Sequence, residues 1–242
     1  MFKFKHLRYA AAGLALLGAF AGPASAQNVD PSKTFTFGHS FSIPSLDPVN
    51  AKSASYNAFL YPVFDRLIYQ DPKGHYQPML ADSWSFNADN TVLTMKIRQG
   101  VVFHDGAPLD AAAAKANLDR MLTHPESTMA KRIAVIAGVE AKDASTLEIK
   151  LKGGAGGLLA ELADIPGMIM SPASFDKPDM DRQPVGTGPY EVKSINGSDS
   201  IEYEKFEKYW DPSVQKTAGL KIVGLTDDNT RLNALQTGAV DA

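Results

Sequence analysis

The chain has 242 residues, 24 Lys and Arg against 27 Asp and Glu, a formal net charge of −3 and no cysteine. That balance leaves no basic footprint for nucleic acid. The missing cysteine removes thiolate chemistry, sulfur-ligated metals and disulfides, which a core of this size does without. With 44% hydrophobic and 21% charged residues, the composition is that of a globular chain forming one large domain or two small ones.

The first residues read as an export signal. Lys3, Lys5 and Arg8 precede an apolar run over 10–21, and Ala24-Ser25-Ala26 is a small-residue cleavage site. The run is shorter than the roughly 20 residues of a membrane span. Cleavage after Ala26, leaving Gln27 first, predicts a soluble periplasmic protein, and no cysteine stands there to carry a lipid anchor.

Residues 34–38 (TFTFG) alternate aromatic and β-branched side chains and predict a strand. A loop through Ile43-Pro44 and Asp47-Pro48 leads to Tyr56, Phe59, Leu60, Val63, Phe64 and Leu67 at helical spacing. Pro62 is expected to kink that helix or to mark its start. Asp71-Pro72-Lys73-Gly74 is a turn. Residues 92–98 form a strand with Leu93, Met95 and Ile97 on one face. Residues 111–123 form a helix striped by Ala114, Leu118, Met121 and Leu122. Leu147, Ile149 and Leu151 mark another strand. Residues 191–195 and 200–206 predict a hairpin around Asn196-Gly197, 221–225 a further strand, and 230–236 a helix stopped by Gly238. Without a strict βαβ rhythm, the fold class is mixed α/β or α+β.

Candidate chemistry is sparse. In "VVFHDGAPLD", residues 101–110, His104 and Asp105 sit side by side, but His39, His75, His104 and His124 are scattered and make no metal-ligand pair. No G-x-S-x-G elbow is present. The stretch reads as a corner, with Asp105-Gly106 turning and Asp110 capping the following helix. The glycines of 153–157 lack the G-K-[ST] of a phosphate cradle and read as a loop. Asn196-Gly197-Ser198 has the form of a glycosylation sequon, which the hairpin turn explains. Tyr203, Phe206, Tyr209 and Trp210 read as core rather than as a ligand platform. An exported chain without nucleophile or metal cluster reads as a binder without a cofactor, not an enzyme.

Three blocks carry a resemblance. "PMLADSWSFNADNTVLTMKIRQGVVFHDGAPLDAAAAKANLDRM" (78–121), "PVGTGPYEVKSING" (184–197) and "YWDPSVQKTAGLKIVGLTDDNTRLNALQTGAVDA" (209–242) are similar, in order and spacing, to the extracytoplasmic solute-binding proteins of family 5. These serve ABC importers of peptides, nickel and related solutes. The sequence departs from the family pattern at Ala111–Ala114, where an acidic residue is frequent, and at Glu207-Lys208, where Asn-Pro is common.

The resemblance implies a periplasmic-binding-protein-like two-lobed clam that closes on its solute by a hinge. Only the first lobe and its extra subdomain are expected here. Residues 27–51 and 185–242 would form the incomplete first lobe and 52–184 the inserted subdomain. The second lobe would be absent, making the chain an N-terminal fragment. It further implies a monomer that captures a short peptide and hands it to an ABC permease. Main-chain pairing would supply the affinity and roomy side-chain pockets a broad specificity. The ligand-binding candidates it gives are Lys52, Ser53, Ala54 and Tyr56 after the Leu-Asp-Pro turn, with Thr128, Met129 and Met168 from the subdomain side. Residues 163–175 (ADIPGMIMSPASF) resemble peptide or glutathione binders more than nickel binders. The alternatives are capture of nickel or a nickel chelate, a periplasmic hydrolase, and a signalling or chaperone role for the same clam.

Overall fold

The computed structural model describes residues 30–242; the export signal and its cleavage site lie outside them. β1 (Thr34–His39) runs parallel to β10 (Gly219–Gly224), and β10 pairs antiparallel with β9 (Ser200–Lys205), which pairs with β8 (Tyr190–Asn196). The sheet order is therefore β1-β10-β9-β8, built from the two ends of the described chain. The β8–β9 hairpin turns where expected, with Gly197 at φ 56°, a left-handed conformation that costs glycine little.

The middle of the chain supplies a second, antiparallel sheet of order β4-β5-β7-β6, from β4 (Ala81–Phe86), β5 (Val92–Ile97), β6 (Ile136–Ala141) and β7 (Thr146–Leu151). Its two central strands are those that the alternation predicts. Leu93 opposes Ile149 and Met95 opposes Leu147, all four fully buried. The edge strands β4 and β6 escape the sequence reading. Each carries a register irregularity, at Ala81/Ser83 and at Ile136/Gly138, that interrupts the two-residue period. A short hairpin of β2 (Ile68–Gln70) and β3 (Tyr76–Pro78) turns over residues 71–74, as expected.

α2 (Ala111–Thr123) has the predicted bounds. Asp110 caps it, one carboxylate oxygen accepting from the Ala113 N–H at 2.8 Å. Ala111, Ala113, Ala114, Leu118 and Met121 are buried, and the helix packs on β6 and β7. Buried Asn117 behaves as a piece of backbone: its amide donates to the Met170 carbonyl at 2.8 Å and accepts from the Met170 N–H at 2.9 Å. The fold is completed by α1 (Asn57–Leu60), α3 (Leu158–Leu162), which follows the glycine loop, and α4 (Asp228–Gln236), with Gly238 at φ 72° just beyond it.

The long helix expected around Pro62 is a single turn instead. α1 ends at Leu60, and the carbonyls that a longer helix would use are taken by the GTGPY segment. The Gly188 N–H donates to Val63 O at 2.8 Å and the Tyr190 N–H to Pro62 O at 2.9 Å. A side chain at Gly186 would place its Cβ 1.9 Å from Val63 O, and one at Gly188 would fall 2.4 Å from the Val63 carbonyl carbon. Both glycines are there to let two backbones touch. All the apolar positions of the expected helix but Tyr56 are buried all the same: Phe59, Leu60, Val63, Phe64 and Leu67 are at most 1% exposed.

Candidate functional site

The site begins with a buried turn. Asp47 is fully buried, and its carboxylate accepts from the Val49 N–H at 3.1 Å, capping the short helical turn Pro48–Asn50. Arg120, in the last turn of α2, forks onto the same carboxylate with two N–H donations of 2.8 and 2.7 Å. Its guanidinium lies 5.0 Å from the centre of the Phe175 ring. A charged pair this deep holds only when both partners are present, so the turn is anchored to α2.

Thr128 makes a second tie. Its N–H donates to Val49 O at 3.1 Å, and its hydroxyl stands 2.9 Å from Val49 O and 2.7 Å from Ala51 O. The chain after Ala51 then runs open. Lys52, Ser53 and Ala54 are exposed, Ser53 is extended at φ −161° and ψ 164°, and Tyr56 is half-buried. Among the described residues, the Lys52 and Ser53 N–H groups have no protein acceptor.

Lys52, Tyr56 and Thr128 line one cavity of about 410 Å³ together with Ser45, Asn50 and Glu126. Tyr56 is shared with a neighbouring cavity of about 380 Å³ that includes Ser40, Phe41, Ser42 and Phe59. That second cavity lies just past the C-terminal ends of the parallel strands β1 and β10, where open sheets of this kind present ligands. His39, at the end of β1, stacks edge-on with Phe59 at 4.8 Å between ring centres, and its ring nitrogen accepts from the Phe41 N–H at 3.1 Å. Desolvation in this aromatic setting holds the imidazole below its usual pKa.

The remaining candidates separate from this group. Ser53 and Ala54 border the cavity's rim segment without lining it. Met129 is 4% exposed and Met168 fully buried, both in the core; in this conformation neither side chain reaches the cleft. Ser45, Asn50 and Glu126 were missed by sequence reasoning. Proximity to the Asp47 turn and to Thr128 was the signal that could have found them.

The FHDG corner is structural. The two ring nitrogens of half-buried His104 lie 3.0 Å from Gly188 O and 3.3 Å from Gly186 N, so Nε2 donates and Nδ1 accepts. Burial pushes its pKa down to about 4. Asp105 accepts from the Ser171 hydroxyl at 2.7 Å. The aromatic cluster is core, as read: the Tyr203 hydroxyl donates to Phe59 O at 2.9 Å. Tyr209 and the Trp210 indole donate to buried Asp65 at 3.0 and 2.8 Å. Desolvation pushes the Asp65 carboxyl up to about 6 against those two bonds. Among the described residues no three His, Asp or Glu side chains are arranged to hold a metal ion, and no helix is long and apolar enough to cross a membrane.

The mixed sheets, with a cleft past β1 and β10, have the fold of the periplasmic binding proteins. It superposes on the binding protein AgaA in complex with agropinic acid from A. tumefaciens with a TM-score of 0.79 at 27% identity, over 86% of this chain and 43% of that one. It superposes on a nickel ABC transporter protein from Bacillus halodurans at 0.76 and 28%, over 86% and 42%, and on the Helicobacter pylori protein DppA, in complex with a peptide, at 0.78 and 23%, over 86% and 46%. Residues 75–242 match the model of the bacterial extracellular solute-binding proteins, family 5 Middle, and the chain belongs to that family. The glutathione-binding protein GsiB of Escherichia coli is 35% identical over 199 residues, covering 80% of this chain; that of Salmonella typhi is 34% identical over the same span. The chain spans 38% of the length of these curated relatives.

Proposed function

We propose that this protein is exported to the periplasm, captures short peptides and delivers them to the permease of an ABC importer. The β1-β10-β9-β8 sheet is then the first-lobe part and the β4-β5-β7-β6 sheet with α2 the body of the inserted subdomain. The observation that carries the reading is the open backbone at Lys52 and Ser53, an extended segment with free N–H groups on the edge of a polar cavity. Such a segment suits main-chain pairing with a peptide, which gives affinity without demanding one side-chain sequence. The likeness to glutathione-binding proteins makes glutathione, a tripeptide, the first solute to try.

Titration of the ¹⁵N-labelled chain with glutathione and with trialanine tests this by NMR, a method that reads weak binding. Amide shifts confined to residues 52–56 and 126–128 are expected. Shifts elsewhere would move the site away from this cavity, and none with either peptide while nickel–histidine perturbs the same amides would replace peptide capture with metal-chelate capture.

A further inference from the structure

The β8–β9 hairpin turns on the one Asn-Gly pair of the sequence, Asn196-Gly197. Residues 196–199 are exposed, and among the described residues neither the Asn196 side chain nor the Gly197 N–H has a protein hydrogen-bond partner. A Cβ built on Gly197 would meet nothing within 4 Å, so its peptide nitrogen is open to approach. The comparable pair in the FHDG corner, Asp105-Gly106, is tied down. There the Gly106 N–H donates to Phe103 O at 2.8 Å, and the Asp105 carboxylate accepts from the Ala107 N–H at 3.0 Å and the Ser171 hydroxyl at 2.7 Å. The hairpin tip also props the rim of the cleft. Ser198 O accepts from the Ile43 N–H at 3.0 Å and Asp199 O from the Gly224 N–H at 2.8 Å. On either side of Ile43, Ser40, Phe41, Ser42 and Pro44 line the cavity of about 380 Å³.

We propose that Asn196 is a site of spontaneous deamidation, and that its isoaspartyl product releases the cleft rim at Ile43 from the hairpin. The Gly197 nitrogen attacks Asn196 Cγ. A new N–Cγ bond closes a five-membered succinimide, the Cγ–Nδ2 bond breaks, and the glycine N–H proton leaves with the amide as ammonia. Water then opens the ring at one of its two carbonyls, giving aspartate or isoaspartate. Glycine favours the attack because no side chain shields its nitrogen. In the isoaspartyl form the backbone runs through the side chain and gains a methylene, so Ser198 O can no longer stand where Ile43 needs it. The inference concerns the lifetime of the cleft and goes beyond the capture reading, whichever solute the cleft takes.

The test ages the folded chain and a urea-unfolded sample side by side at mildly alkaline pH, then follows tryptic peptides by mass spectrometry. The peptide of residues 194–205 is expected to gain the mass difference between an amide and an acid. It should also split into two chromatographic forms, at a rate close to that of the unfolded sample and ahead of every other asparagine. Asn196→Gln, at an exposed position, keeps an amide but would have to close a six-membered ring, and should hold its mass. Hydrogen exchange at Ile43 should quicken in the aged wild type and stay unchanged in the aged variant. A folded chain that keeps its native mass at 194–205 while the unfolded sample converts would overturn the proposal, since the turn would then protect Asn196. Exchange at Ile43 that is unchanged by conversion, or that quickens equally in Asn196→Gln, would overturn the release of the rim.

Discussion

Asp47 and Asp65 are both buried carboxylates, at 0% and 1% exposure, and the chain treats them in opposite ways. Asp47 receives a cation, the Arg120 fork, plus one backbone N–H. Asp65 receives two neutral donors, the Tyr209 hydroxyl and the Trp210 indole. The first arrangement joins the loop before the candidate cleft to α2 through a charge that must be matched. The second joins the aromatic stretch after β9 to the chain that follows α1, through a charge that burial disfavours and hydrogen bonds only partly restore. One is a fixed rivet under the site; the other makes stability sensitive to protons.

The largest test breaks the rivet. Arg120→Met keeps bulk and apolar contact but leaves the Asp47 carboxylate buried without its cation, and should cost about 3–5 kcal/mol in denaturant unfolding. Adding Asp47→Asn in the same chain should recover part of that loss, because the orphaned charge is removed while an oxygen is left to cap Val49. A loss below about 1 kcal/mol for Arg120→Met would mean that the pair behaves like a surface bridge.

Two further variants sharpen the contrast through pH. Asp65 has its folded pKa raised from 3.8 to about 6, so its contribution to stability is full below pH 3.8 and is lost as pH rises through about 6. His104 has its folded pKa lowered from 6.5 to about 4, so its contribution is full above pH 6.5 and is lost as pH falls through about 4. Over the shared window the two slopes oppose. Asp65→Asn should make stability rise from pH 4 to pH 6 by about 2 kcal/mol more than in the wild type. His104→Gln, which can keep one donor and one acceptor for Gly188 and Gly186, should make it fall by a similar amount relative to the wild type. Parallel pH curves for wild type and either variant would remove that group from the balance.

How much of this was legible follows the same division between local and long-range causes. β5, β7, α2 and the β8–β9 hairpin could be read because each is specified locally, by strict alternation, by the Asp110 cap or by a turn glycine. The Asp47 turn stood out as Leu-Asp-Pro, and Lys52, Tyr56 and Thr128 were named from the family resemblance and share one cavity. What stayed hidden depends on distant partners. The helix through Pro62 shortens because Gly188 and Tyr190 take its carbonyls. The bulged edge strands lose their period. Met168, a candidate by position along the chain, is core because the segment around it packs against α2 through Asn117. No residue pattern near Asp47 discloses that its cation lies 73 positions away.

The smallest expected effect concerns the second tie on the Asp47 side. Thr128→Val keeps the shape and the backbone donation to Val49 O but removes the hydroxyl that serves Val49 O and Ala51 O. Val49 O keeps the Thr128 N–H, so only Ala51 O loses its partner, and the stability loss should be about 1 kcal/mol. The consequence for the site should be out of proportion to that loss. With one of two ties gone, the two loops that line the cavity are no longer held at one separation, and the ordering that the wild type supplies beforehand must be met on binding. Trialanine affinity should therefore fall while the unfolding midpoint barely moves, and Thr128→Ser, which restores the hydroxyl, should recover it. An affinity that tracks stability across Thr128→Val and Thr128→Ser would make Thr128 a simple packing residue. A split between the two would make it the residue that sets the cavity's spacing.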